Sequence, residues 1–353
     1  MKRMILLALV LNAAILGVIA HQLVAIAGEA PGTTRNGDTN GDGSRDVSDA
    51  VYLLSWLFLG GEEPVPVACA QDGGGLSPEQ AEILSHLSIV ELALDDRGNS
   101  ARTIRFSGVN VQVVNGTGST DEVSNGLGNL VVGYQELRGD DGIGETDDEN
   151  NRVGSHNLVV GKANNYSSWG GQVVGERNTL SGYLSTVSGG FGNLAAGRHS
   201  TVSGGDRNTA SGDWCVVSGG RTNTASGNAD TVGGGVRNEA SGDTSTVSGG
   251  TENTASRGGS AIGGGSRNEA RGVFSTISGG WTNQAAGIRS AVSGGAENEA
   301  LAENSTISGG RRNSARDEHT TVGGGYNNTA LGDFSVVSGG RNHTADGEGE
   351  HLP

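Results

Sequence analysis

Residues 38–49 of this 353-residue chain concentrate oxygen donors at spacings that suit a hard divalent cation. Asp38, Asn40, Asp42, Asp46 and Asp49 fall at positions 1, 3, 5, 9 and 12 of one loop, and Ser44 at position 7 offers its backbone carbonyl. Gly43 stands where such a loop turns sharply. A calcium ion takes about six to eight oxygens, which explains the density of short acidic side chains. The expectation is Ca2+ held by Asp38, Asn40, Asp42, Ser44, Asp46 and Asp49 in a structural role. Other residues offer less. Cys69 and Cys215 lie in different segments, and Cys215 stands where most repeats carry Ser. His86, His156, His199, His319 and His343 share no ligand spacing, and no catalytic residue emerges. The chain reads as a non-enzyme.

The residues after the loop are suited to hold it. Ala50–Leu59 forms an apolar helical run that stops at Gly60-Gly61, with Pro64 beyond. Together they have the pattern of an EF-hand loop and its exit helix. The segment resembles the dockerin type I calcium loop, including Asp49 in place of the usual Glu. It departs from that family at Arg45, where an aliphatic residue is usual, and in having one loop where a dockerin pairs two. The resemblance implies calcium binding and leaves a cohesin-type partner open.

The N-terminus reads as an export signal over residues 1–27. Lys2 and Arg3 precede an apolar run, and Ala25-Ile26-Ala27 is a small-x-small cleavage site. The alternative is an uncleaved anchor, the one route to membrane contact. Either way the chain is expected to be secreted or on the cell surface. A net charge of −16 with no basic stripe excludes nucleic acid as a partner.

Residues 28–70 form the calcium-binding segment, and 71–100 a Gly-rich linker with a short helix. Ser77, Pro78 and Gln80 make a capping box, and Ile83, Leu84, Leu87 and Val90 form a helical stripe expected to pack on the first β-coil, with a short trimeric coiled-coil neck as the alternative. Residues 101–175 read as strands and degenerate coils. Ile104 and Phe106 alternate with polar residues, then Val109, Val111 and Val113 are expected to point inward as a second strand. Gly128–Gly133 echoes His156–Gly161, and Val173-Val174-Gly175 is a third such turn. The acidic stretch from Asp140 to Glu149 reads as a solvated insertion.

From residue 176 to 347 the chain repeats every 15 residues, before a short tail at 348–353. Asn recurs from Asn178 to Asn328, Ala from Ala195 to Ala345, and Val or Ile from Val187 to Val337, each followed by Gly-Gly. Fixed periodicity with 64 Gly and only 4% aromatic residues predicts a mainly β fold, a parallel β-solenoid or β-roll of 15-residue coils. Eleven regular repeats at about 4.8 Å per coil extend about 50 Å. One Val or Ile and one Ala per coil are expected inside, with the Asn side chains forming an amide ladder. So thin a core argues for lateral association.

The element Ala-x-Gly-x-x-Ser-x-Val-x-Gly, clean over residues 240–249, is similar to the head repeat of trimeric autotransporter adhesins. The resemblance covers about residues 125–347. It implies a left-handed parallel β-roll, a homotrimer and an adhesive surface for an extracellular, matrix or glycan ligand. The period is 15 where that family commonly uses 14, with the second Gly of each pair as the apparent insertion. With no coiled-coil stalk or anchor strands in the sequence, the expected product is a secreted protein with an adhesin-type head. The alternative function is a component of a polysaccharide-degrading system tethered by the dockerin-like loop. Ice binding is disfavoured because the Thr rank from Thr186 to Thr321 is broken at Val216, Ala261 and Ala291. The positions between the constant ones vary freely, as a scaffold surface permits. Trp169, Trp214 and Trp281 fall at turns, where they are expected to cap coils.

Overall fold

The computed structural model describes residues 77–93, 100–121, 124–134, 136–139 and 150–353. The export segment, the calcium loop with its helix, Cys69 and the acidic stretch 140–149 lie outside the described residues. The chain divides into two compact units, one ending at Val111 and one starting at Gln112.

In the first unit, Ser77 opens helix α1 (Pro78–Ser85) with the anticipated reciprocal cap. Its hydroxyl accepts the Gln80 N–H at 3.2 Å, and Gln80 Oε1 accepts the Ser77 N–H at 2.9 Å. The helical stripe is then interrupted. Leu87 and Val90 belong not to the helix but to strand β1 (Leu87–Ala93), antiparallel to β2 (Ser100–Phe106), with Ile89 opposite Ile104. The β-branched pair Ile89-Val90 favours the pleated backbone, and a cross-strand partner outweighs one more helical turn. The boundary drawn at residue 100 falls inside this hairpin. The expected second strand does not form. Val109, Val111 and Val113 lie in irregular backbone and are exposed, because no facing strand gives their alternation a core.

The second unit is a parallel β-solenoid. Strands β3 (Leu130–Val132), β4 (Leu158–Lys162) and β6 (Gln172–Glu176) open a 15-stranded sheet; β5 (Asn165–Tyr166) and β7 (Thr179–Leu180) open a 13-stranded one. Every later coil gives two residues to each sheet, such as Thr201-Val202 to the first and Thr209-Ala210 to the second. Pairing is in register, with Val202 between Val187 and Val217, and Ala210 between Ala195 and Ala225. A third ladder of single bridges, from Glu176 through Phe191 and Asp206 to Arg341, closes the corner after each Gly-Gly. The coil therefore has a third hydrogen-bonded wall beside its two sheets.

The first coils are shorter: Leu158 pairs with Gln172 and Gln172 with Thr186 before the 15-residue step begins. They identify the inserted residue. Val173 pairs with Val187 and Glu176 with Phe191, so Val174-Gly175 in one coil faces Ser188-Gly189-Gly190 in the next. A Cβ on Gly175 would lie 2.4 Å from the Gly190 carbonyl, as one on Gly190 would lie 2.1 Å from that of Gly205. Gly175 thus matches the second Gly. The insertion is the first Gly, around which a Cβ at Gly189 meets nothing within 4 Å.

The core is also richer than one Val and one Ala per coil. Four side chains point inward: Val202, Asn208, Ala210 and Cys215 in one coil, with Ser200, Ser245 or Ser275 at the position of Cys215 in others. The Asn rung behaves as expected. Asn208 Oδ1 accepts the Asn223 N–H at 3.0 Å, while its Nδ2 donates to the carbonyls of Gly204 and Gly220 at 2.9 Å each. Both halves of the amide are used, which explains why neither Asp nor Leu replaces Asn at this position. The ladder passes to His343, whose N–H donates to Asn328 Oδ1.

Candidate functional site

With the core filled by small constant residues, chemistry is left to the outward rungs. Each coil turns its corner through two non-glycine residues at positive φ on most coils, such as Arg207 at 54° and Trp214 at 56°. At these corners each side chain faces its equivalent 15 residues on, so positions far apart in sequence become neighbours.

The outward residues are therefore not free of one another. Glu252 bridges Arg267 at 2.7 Å and Arg237 at 3.2 Å on the coils either side. Glu297 pairs with Arg312 and, at 2.9 Å, with Arg311. Hydrogen bonds from these arginines, Arg267 first for Glu252 and Arg312 first for Glu297, hold both carboxyls below the usual range. Such exposed pairs add little stability but set which charges can stack.

One corner carries a continuous aromatic stack. Trp169 lies on Tyr183 with centroids 5.6 Å apart, Tyr183 meets His199 edge-on at 5.5 Å, and His199 lies on Trp214 at 5.9 Å with planes 3° apart. Arg198 sits over both Tyr183 and Trp214 and is ion-paired to Asp213. The hydrogen bond from Arg198 lowers the Asp213 carboxyl, and Asp213 in turn raises the guanidinium. The same rung holds His319 on Phe334, centroids 4.8 Å apart. Two of the scattered histidines thus share one structural position. The signal available in sequence was the aromatic placed 15 residues after each His. Trp214 does more than cap a coil, being the outermost plate of a four-ring stack.

A second irregularity is inside. Asp230 replaces the usual Ser of the fourth inward rung and is fully buried. Its carboxylate accepts from the N–H groups of Gly227 and Ser245 at 2.7 Å each and from the Ser245 hydroxyl at 2.8 Å. Burial pushes its carboxyl up, opposed by these bonds. The folded state therefore holds its proton to higher pH than the unfolded chain. The charged form destabilises the fold, and stability falls as pH rises through the raised value. Asp230→Ser is expected to stabilise the chain at pH 7 by on the order of 1 kcal/mol, and to give no gain below pH 4. Denaturant unfolding at the two pH values checks this, and an equal gain at both would refute it. Its ladder neighbour Cys215 is buried too, and burial raises its thiol.

Among the described residues, no group of three or more His, Cys, Asp or Glu side chains could hold a metal ion. The expected ligands Asp38, Asn40, Asp42, Ser44, Asp46 and Asp49 all lie outside those residues.

Residues 200–212, one coil around Val202, Asn208 and Ala210, match the model of the ubiquitous surface protein adhesin repeat. No curated protein matches the chain. The repeat match and the solenoid together support a surface adhesive repeat protein.

Proposed function

We propose that this chain is a secreted or cell-surface structural and adhesive protein that assembles as a homotrimer, with a calcium-stabilised segment ahead of its β-roll. The observation that carries the assembly is the distribution of charge over the two sheets. On the outward face of the 15-stranded sheet, the rung from Thr186 to Val336 holds only Thr, Val and Ala. The rung beside it, from Ser188 to Ser338, holds only Ser and Gly. The 13-stranded sheet instead presents Glu239, Glu269 and Glu299. Copies of a chain with net charge −16 repel unless they meet through an uncharged face. In-register small side chains also make that face flat enough for identical copies to pack. The face opposite then remains free to adhere.

Light scattering on the secreted chain should give three chain masses, and Thr246→Lys, in the middle of the uncharged face, should give one. A monomeric parent chain would overturn the assembly. The calcium segment is tested separately by Asp42→Ala. This change should abolish calcium binding in titration calorimetry, while the unfolding of the β-roll stays unchanged.

A further inference from the structure

We propose that the outer face of Trp214 is a stacking platform for a neutral oligosaccharide. This inference deepens the adhesive reading, on which it rests, by naming the ligand class. Trp214 is 51% exposed, although its own coil and the one before hold it firmly. Its φ of 56° is the corner value that the rung shares, as at Ala229 and Thr244, so the turn of the coil fixes where the indole leaves the backbone. Its neighbours fix the ring. His199 covers one face of the indole, and the Arg198 guanidinium, fixed by Asp213, lies 5.8 Å from the ring centroid.

The other face is open because the next coil carries Ala229 at the equivalent position, itself exposed. Side chains on this rung lean toward the preceding coil: Leu184 lies against Gly170, and Phe274 against Gly259. Ala229 has nothing to lean over Trp214. The next bulky wall is the Phe274 ring above Gly259, about 14 Å along the axis at one coil per 4.8 Å.

The charges select the ligand. Asp213 and Arg198 neutralise each other, so neither offers a free charge. An anionic ligand would meet the field of a chain carrying −16. A cation would face a guanidinium already beside the ring. A pyranose has an apolar face for the indole and hydroxyls for the exposed Asn228 amide and the ion pair at its edge. A rigid plate suits so weak a ligand, because little ordering remains to oppose binding. The ring pair alone recurs eight coils on, about 38 Å away, as His319 on Phe334 with Gly349 beyond it, where Glu318 and Asp333 stand in place of the Arg198–Asp213 ion pair. One long glycan can therefore span two plates and gain avidity.

The experiment titrates cellohexaose, chitohexaose and xylohexaose into the full secreted chain, following tryptophan fluorescence and heat. At least one should bind saturably. Ala229→Arg should weaken that binding at least tenfold with no change in unfolding, since Arg289 already occupies the same corner position at φ 54°. Trp281→Phe, on another rung, should bind as the parent does. Binding by none of the three, equal binding by Ala229→Arg, or binding of heparin alone would overturn the platform. A trimeric chain that still adheres to immobilised matrix but fails these titrations leaves the adhesive reading standing. Loss of adhesion as well removes both.

Discussion

Gly250→Ala should cost on the order of 4 kcal/mol, while Gly249→Ala, one residue earlier, should stay within about 0.5 kcal/mol. The two glycines look equivalent in sequence. A Cβ on Gly250 would stand 2.2 Å from the Gly265 carbonyl and 2.6 Å from Asn253 Nδ2, and its φ is +93°. Neither obstacle can yield locally, because the carbonyl belongs to the next coil and the amide to the ladder. A Cβ on Gly249 meets nothing within 4 Å. Denaturant unfolding gives the comparison, and amide exchange at Thr251 and Ser266 should show the damage centred on two coils. Solenoid stability is a sum of unit and interface terms, so the lesion need not spread to the ends. Equal costs for the two substitutions would sink the assignment of the first Gly as the inserted residue.

Asn253→Ala should cost about 3 kcal/mol, and Asn253→Asp more than that at neutral pH. The Asn253 amide is buried. Its Oδ1 accepts the Asn268 N–H at 3.0 Å, and its Nδ2 donates to the Gly249 and Gly265 carbonyls at 3.0 Å each. Truncation leaves the Asn268 N–H and the Gly249 carbonyl unpaired, whereas the Gly265 carbonyl keeps the Thr251 N–H. Asp keeps the acceptor but aims a charge at two carbonyls. Burial would raise its carboxyl, so Asn253→Asp should recover stability as pH falls toward 4 while Asn253→Ala should not. Thermal unfolding across that range decides it. If Asp matched Asn at pH 7, the donor half of the ladder would be unnecessary. Asp230 survives in the same core because its rung supplies three donors and no opposing carbonyl contact among its hydrogen bonds.

The solenoid is legible because one unit is written many times, so Asn208 and Ala210 read as ladders from the sequence alone. What escaped was whatever depends on a neighbour outside the unit. Ser200 and its equivalents were not among the expected inward residues, since a hydroxyl is a poor sign of burial; the structure buries them, and while Ser185 donates to the Gly182 carbonyl, the hydroxyls of Ser200, Ser290 and Ser335 have no hydrogen-bond partner. The two glycines could be told apart only where a 14-residue coil abuts a 15-residue one. Leu87 fitted a helical stripe and a strand equally well, and its partner Phe106 decided the matter. The stack from Trp169 to Trp214 was missed because contact at one coil's separation was sought for constant residues and not for variable ones. The calcium loop rests on its own spacing, outside the described residues.

The series arrangement of the coils has a mechanical consequence. Within one chain, a coil is fastened to the coil before and the coil after, through Asn amides and short parallel strands. A pull that peels the solenoid from one end loads a single interface at a time. Each yield frees 15 residues, about 50 Å of chain at full extension, where the packed coil occupied about 5 Å. Shear on an attached surface would therefore be met as many small, repeatable extensions, with the remaining coils still folded and still holding their outward rungs in place.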